Sequence, residues 1–203
     1  KRIFTHRKIK EYMESMVAKT EKIAEDVLDA DKMLMVLGGD HSVPNGVWNT
    51  MENVYKPQDV TILHVDGHLD LRDKLDGFVY SHACIMRRAR DKGFNVLHVG
   101  PRDHISEEEA EYVRRWKFME DIYFCPTQPR EFYHKFKESI ASNGIICLQN
   151  LIWEGEPNEK QLASLEGKIC QTKHLWISID VDGLDASDIP GTGTPLPLGL
   201  KRS

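Results

Sequence analysis

Residues 60–70 read Val60-Thr61-Ile62-Leu63-His64-Val65-Asp66-Gly67-His68-Leu69-Asp70. The first six form an apolar run rich in β-branched residues, which predicts a buried strand. Asp66, His68 and Asp70 then fall at i, i+2 and i+4, so an extended backbone sends all three side chains to one side. A carboxylate, an imidazole and a carboxylate leaving a strand's carboxyl end together suit a metal ion. The plainer reading is a polar strand edge, and three ligand types at period two weigh against it. The spacing is not unique, because binuclear phosphoesterases also use Asp-x-His.

Outward from this strand the chain alternates strands and helices. The patterns predict helices over 9–28, 43–54, 81–92, 131–142 and 159–169. A further helix opens at the capping box Ser106-Glu107-Glu108-Glu109. Strands are predicted over 32–37, 59–65, 94–99, 122–124, 144–148 and 174–179. Strands separated by helices imply an α/β domain spanning 1–203, with a mainly parallel sheet covered by helices on both faces. In such sheets ligands bind beyond the carboxyl ends of the strands. Three polar clusters obey that rule: Gly38-Gly39-Asp40-His41-Ser42, Asp66 to Asp70, and Asp180-Val181-Asp182.

The chain has 203 residues, 40% hydrophobic and 29% charged, which is the balance of a folded domain. Its formal net charge of −5 argues against nucleic acid as a partner, since such proteins carry a basic patch. No apolar run approaches a membrane span, and no secretory signal follows the basic stretch at 1–10. Cys84, Cys125, Cys147 and Cys170 form no Cys-x-x-Cys pair. That spread suits free thiols in a reducing, cytoplasmic compartment.

Pooled, the candidate ligands are His41, Asp66, His68, Asp70, Asp180 and Asp182. Four carboxylates in one place would repel unless two divalent cations neutralise them. Oxygen-rich ligation without thiolate favours manganese or magnesium over a structural zinc. Two ions could share a bridging water and lower its pKa, giving a hydroxide nucleophile. For Gly38 to Ser42 the alternative is a strand-to-helix turn in which Asp40 or Ser42 caps the helix. His82 in Tyr80-Ser81-His82-Ala83-Cys84 is either a helix-start histidine without a role or a proton shuttle. His64 and His98 lie inside apolar strands and read as packed core residues. Pro190-Gly191-Thr192-Gly193-Thr194-Pro195 is either a plain loop or a wall of the site.

In this order, Gly-Gly-Asp-His-Ser at 38–42, Asp-Gly-His-Leu-Asp at 66–70, Ser-Ile-Asp-Val-Asp-Gly-Leu-Asp at 178–185 and Pro-Gly-Thr-Gly-Thr-Pro at 190–195 resemble the ureohydrolase family of arginases and agmatinases. The resemblance implies a three-layer arginase-like α/β fold, short at both ends, with two Mn2+ per chain. It implies that His41, Asp66, His68, Asp70, Asp180 and Asp182 are the ligands and that Asp66 and Asp180 bridge the ions. Asp70 and His82 would be catalytic, passing protons to the leaving amine and to solvent. Thr194 and Arg72 would touch substrate. The wording His-Leu-Asp-Leu-Arg-Asp is closer to agmatinase-type members. It implies a small cationic guanidino substrate, agmatine first, hydrolysed to urea and an amine within polyamine biosynthesis. A homo-oligomer, trimer or hexamer, follows by the same analogy.

The sequence departs from the family at Gly67 (usually Ala), at Arg72 (Asn in arginases) and after Pro195. The family's guanidinium-gripping glutamate lies further downstream than Ser203. Three alternatives therefore stand beside agmatine hydrolysis: an arginase or other guanidino-acid hydrolase, a two-metal phosphoesterase, and a non-catalytic partner subunit that keeps the fold.

Overall fold

The computed structural model describes residues 2–123, 146–147 and 159–200. The chain divides into two compact units, residues 1–58 with 70–94 and residues 59–69 with 95–203. Among the described residues no helix is long and apolar enough to cross a membrane.

The first unit is helical. Helix α1 (Arg2–Asp29) buries Val17 and Ala24, and exposes Tyr12 and Ile23 along with most of its charged residues. The i,i+4 pairs Arg7–Glu11 and Lys22–Asp26 lie on that exposed surface, where water and salt screen them. Helix α2 (Asn45–Val54) packs against α1 through Gly46. A Cβ on Gly46 would lie 2.1 Å from the Thr20 hydroxyl and 2.3 Å from the Val17 carbonyl. Two polar bonds tie the same contact: Thr50 Oγ1 donates to the Glu21 carbonyl at 3.0 Å, and Asn49 Nδ2 donates to the Glu21 carboxylate at 2.8 Å. Gly46→Ala is therefore expected to destabilise the chain by about 1–3 kcal/mol through overpacking against backbone, read as a lower urea midpoint. Helix α3 (Ile85–Asp91) completes the unit and buries Ile85, Met86 and Ala89.

The second unit is built on a parallel sheet. Strands β1 (Val60–Val65), β2 (Asn95–Val99), β4 (Ile122–Tyr123) and β6 (His174–Ile179) stand in the order β4-β2-β1-β6. All their pairings are parallel. Val60, Ile62, Val96, Leu97 and Ile122 are buried, so the apolar runs at 60–65 and 95–99 do form the core strands. Helix α4 (Glu107–Trp116) opens with the expected capping box, the Ser106 side chain and backbone exchanging bonds with Glu109. Helix α5 (Glu159–Cys170) precedes β6.

Two expectations fail. Residues 32–38 form no strand, and Met33, Met35 and Leu37 are exposed. An apolar run satisfies its backbone as a strand only beside another strand, and none pairs with it among the described residues. Of the strand predicted over 144–148, the described residues 146–147 do form a strand, but outside the parallel sheet. Its described core, β5 (Ile146–Cys147), pairs antiparallel with β3 (His104–Ile105). The helix predicted over 131–142 lies outside the described residues.

Candidate metal centre

Strand register assembles the centre. β1 and β6 run side by side with Val65 opposite Ile179, so the residues leaving both carboxyl ends are neighbours. The Asp180 N–H extends this ladder, donating to the Val65 carbonyl at 2.8 Å. Asp180 then caps a short 3-10 turn, Val181–Gly183, its Oδ1 accepting the Asp182 N–H at 3.1 Å. The turn aims Asp182 at the end of β1, where its Oδ1 accepts the Gly67 N–H at 3.0 Å. A Cβ on Gly67 would lie 2.8 Å from the flexible tip of Leu196 and 3.1 Å from both the carbonyl and Oδ1 of Asp182, so an alanine there would press on Asp182 as well as on a movable side chain.

Asp66, His68 and Asp182 each offer a ligand atom, all within 4.8 Å of one another. His68 Nδ1 lies 3.3 Å from Asp66 Oδ1 and 3.2 Å from Asp182 Oδ2. The far ring nitrogen, Nε2, lies 3.0 Å from Asp103 Oδ2. Burial opposes a charge on His68, but hydrogen bonds to Asp103, Asp182 and Asp66 outweigh it and hold its pKa far above the usual imidazole range. The His68 bond in turn holds the Asp103 carboxyl below its ordinary value, against its own partial burial. Three carboxylates converging on one imidazole demand positive charge. A proton on His68 supplies one positive charge, and a divalent cation at Nδ1 would supply two. The donor set, oxygen and imidazole without sulfur, fits such a cation.

Asp103 was not singled out from sequence. It has the geometry of a carboxylate that orients a metal-binding histidine through its second nitrogen. Asp103→Ala is expected to weaken divalent-metal binding roughly 10–100-fold with the ligands intact, measured by calorimetric titration. Its only signal in the sequence was position, three residues past the strand-ending Gly100.

The remaining candidates fall as follows. In the first unit His41 Nδ1 lies 3.0 Å from Asp70 Oδ2, both side chains nearly buried. Asp70 has φ +54, a conformation uncommon outside glycine. That turn points its carbonyl at the start of α3, where it accepts the Met86 and Arg87 N–H groups at 3.1 Å each. These are amides with no partner inside the helix. Asp40 forms a turn with Ser42, accepting from its backbone at 2.9 Å and its hydroxyl at 2.5 Å. The N-cap position of α2 is Pro44. His82 is exposed, its ring 3.4 Å from the Ser81 hydroxyl. The Arg72 N–H donates to the Ala83 carbonyl. In the second unit Asp180 stands outside the ligand triplet as the turn's cap. Thr194 Oγ1 donates to Asp182 Oδ2 at 2.6 Å, so the 190–195 loop buttresses the centre.

Asp185, the third carboxylate of its segment, is architectural. It accepts from the Ser187 hydroxyl at 2.5 Å, the Ser187 N–H at 3.0 Å and the Gly199 N–H at 3.1 Å. These bonds, the Ser187 hydroxyl foremost, hold its pKa down to about 2 against burial. The depressed value gives stability that is present above the unfolded carboxyl range, near pH ~4. That stability is lost as pH falls through about 2. Asp185→Asn is expected to flatten this acid limb, read as urea midpoints between about pH 2 and pH 5.

The chain matches the arginase family over residues 4–148 and 130–203. It belongs to the arginase family. Among curated arginase-family relatives, N(1)-aminopropylagmatine ureohydrolase of Thermus thermophilus is 31% identical over 173 residues, covering 85% of this chain and 47% of the relative. The enzyme of the same name from Synechocystis is 28% identical over 169 residues, 83% and 45% respectively. The solved agmatine ureohydrolase of Thermoplasma volcanium superposes with a TM-score of 0.59 at 26% identity, covering 93% of this chain and 53% of the other. The arginase-like fold expected from the motifs is thus the fold observed. The chain spans about half the length of the curated relatives it matches.

Proposed function

We propose that this chain carries the metal centre of a binuclear manganese ureohydrolase that cleaves a linear guanidino compound, agmatine first, to urea and an amine. The observation that carries the reading is the convergence of Asp66, Asp182 and Asp103 on His68, inside a family whose matched relatives are named ureohydrolases. Manganese as the ion, a place in polyamine synthesis and a cytoplasmic location belong to the same reading.

In this reading Asp66, His68 and Asp182, with Asp180 beside them, would hold an ion in the second unit, and within the first unit His41 and Asp70 would offer ligands. The bound ions would supply a nucleophilic water at neutral pH. The chain's own residues do the rest. Asp103 keeps the His68 ring oriented through Nε2, and Thr194 fixes one oxygen of Asp182. The Asp70 carboxylate, nearly buried beside His41, would hold a proton out of water and pass it to the leaving amine. His82, exposed, would exchange that proton with solvent. The acidic surroundings favour a cationic guanidinium over an anionic substrate.

The test is urea release by the Mn2+-loaded protein from agmatine, N(1)-aminopropylagmatine and arginine in parallel, with an aryl phosphate as control. Release from the two agmatine-type guanidines above that from arginine is expected. Phosphate release without urea would contradict the reading.

A further inference from the structure

Behind Asp66 lie two histidines that the ligand triplet does not use. His64 and His98 are register partners on the parallel strands β1 and β2, and both are fully buried. Their Nδ1 atoms are 2.9 Å apart, with the rings edge to face at 82°. The other nitrogen of His64, Nε2, lies 2.9 Å from Asp66 Oδ2. His98 is backed by the Phe118 ring at 6.2 Å.

Only one proton fits between two nitrogens at that distance. If it belongs to His64, a neutral His64 turns a lone pair on Nε2 toward the Asp66 carboxylate. If it belongs to His98, His64 keeps its own proton on Nε2 and donates it to Asp66. The second order gives each close contact one donor and one acceptor and leaves no charge on a buried ring. His64 in β1 and Asp66 just past its end are two apart, so their side chains fall on the same side. Strand register then sets His98 beside His64.

We propose that His64 and His98 are positioning residues, a two-imidazole strut that grips Asp66 from behind and keeps its Oδ1 turned to His68 and Asp182. The His68 backbone N–H holds Oδ1 at 2.6 Å, so both carboxylate oxygens are fixed before any ion arrives. The proposal rests on the reading of Asp66 as a metal ligand. A loosened Asp66 would weaken ion binding with every ligand still present.

The experiment uses the whole chain and two readouts. Imidazole nitrogen spectra at neutral pH, assigned with His64→Gln and His98→Leu, report which nitrogen of each ring carries the proton. Calorimetric titration with Mn2+ reports affinity. The expected result is a proton on Nε2 of His64 and on Nδ1 of His98. Mn2+ binding should weaken roughly 10–100-fold in His64→Leu. It should largely recover in His64→Gln, whose amide returns an N–H to the Nε2 position. A smaller loss is expected in His98→Leu. A proton on Nδ1 of His64, or a folded His64→Leu protein binding Mn2+ as tightly as the parent, overturns the strut. If His64→Leu does not fold, His98→Leu carries the comparison, and parental Mn2+ affinity with the His64 proton still on Nε2 in that variant overturns it. If the parent itself binds no Mn2+, the metal reading fails, while the spectra still decide whether the strut exists.

Discussion

Asp182→Ala is expected to lower Mn2+ affinity by more than 100-fold and to remove any urea release that depends on the ion. Loss of a residue that merely orients a ligand costs roughly 10–100-fold, and Asp182 is proposed as a ligand itself. It also sits at a crossing of contacts. Oδ2 lies 3.2 Å from His68 Nδ1 and accepts the Thr194 hydroxyl at 2.6 Å, while Oδ1 accepts the Gly67 N–H. Truncation therefore removes one negative charge and unties the 190–195 loop from the end of β1. Asp182→Asn separates the two effects. The amide oxygen still accepts the Gly67 N–H, so the backbone keeps its place, but the charge is gone. Calorimetric titration of both variants should give losses of similar size; an asparagine variant with parental affinity would remove Asp182 from the ligand set.

Arg102→Leu is expected to destabilise the chain by about 4 kcal/mol, the largest stability effect in the second unit. The side chain is almost wholly buried. Its guanidinium donates to the carbonyls of Gly100, Asp182, Gly183, Leu184, Leu196 and Pro197, at distances from 2.5 to 3.3 Å. Each buried carbonyl left without a donor costs on the order of 1 kcal/mol or more, and collapse around a shortened side chain recovers part of the sum. The Gly199 backbone also closes on the guanidinium: a Cβ there would lie 2.6 Å from Nη2. Lysine has one compact ammonium in place of a planar fork, so Arg102→Lys should retain most of the defect. Because the carbonyl of Asp182 is among the acceptors, both variants should also lose metal affinity. Urea unfolding reads the first effect and Mn2+ titration the second.

Those two residues mark how far the sequence could be read. The core strands at 60–65 and 95–99, the strand at 174–179 beside them, and the rule that ligands gather at their carboxyl ends, followed from β-branched runs bounded by glycine and acid clusters. Asp66, His68 and Asp182 were legible because ligand-type residues at period two are rare after a buried strand. The capping box at Ser106 was legible because it is local. What was hidden depended on register and on distant backbone. His64 and His98 read as core residues, which their burial supports, but the bond between them exists only because β1 and β2 pair with those two positions opposite. Nothing in the sequence singles out Arg102, since its six acceptors come from segments as much as 95 residues away. The apolar stretch at 32–37 misled for the opposite reason, because composition shows that a segment can be a strand and not whether a neighbour is there to pair with it.

The centre itself is most directly tested by diffraction from crystals grown with Mn2+, with data collected at the manganese absorption edge. An anomalous peak within bonding distance of Asp66, His68 Nδ1 and Asp182, with Asp103 still on His68 Nε2, is the predicted result. A saturating Mn2+ soak that leaves this position without a peak, or places the ion away from all three side chains, would contradict the account.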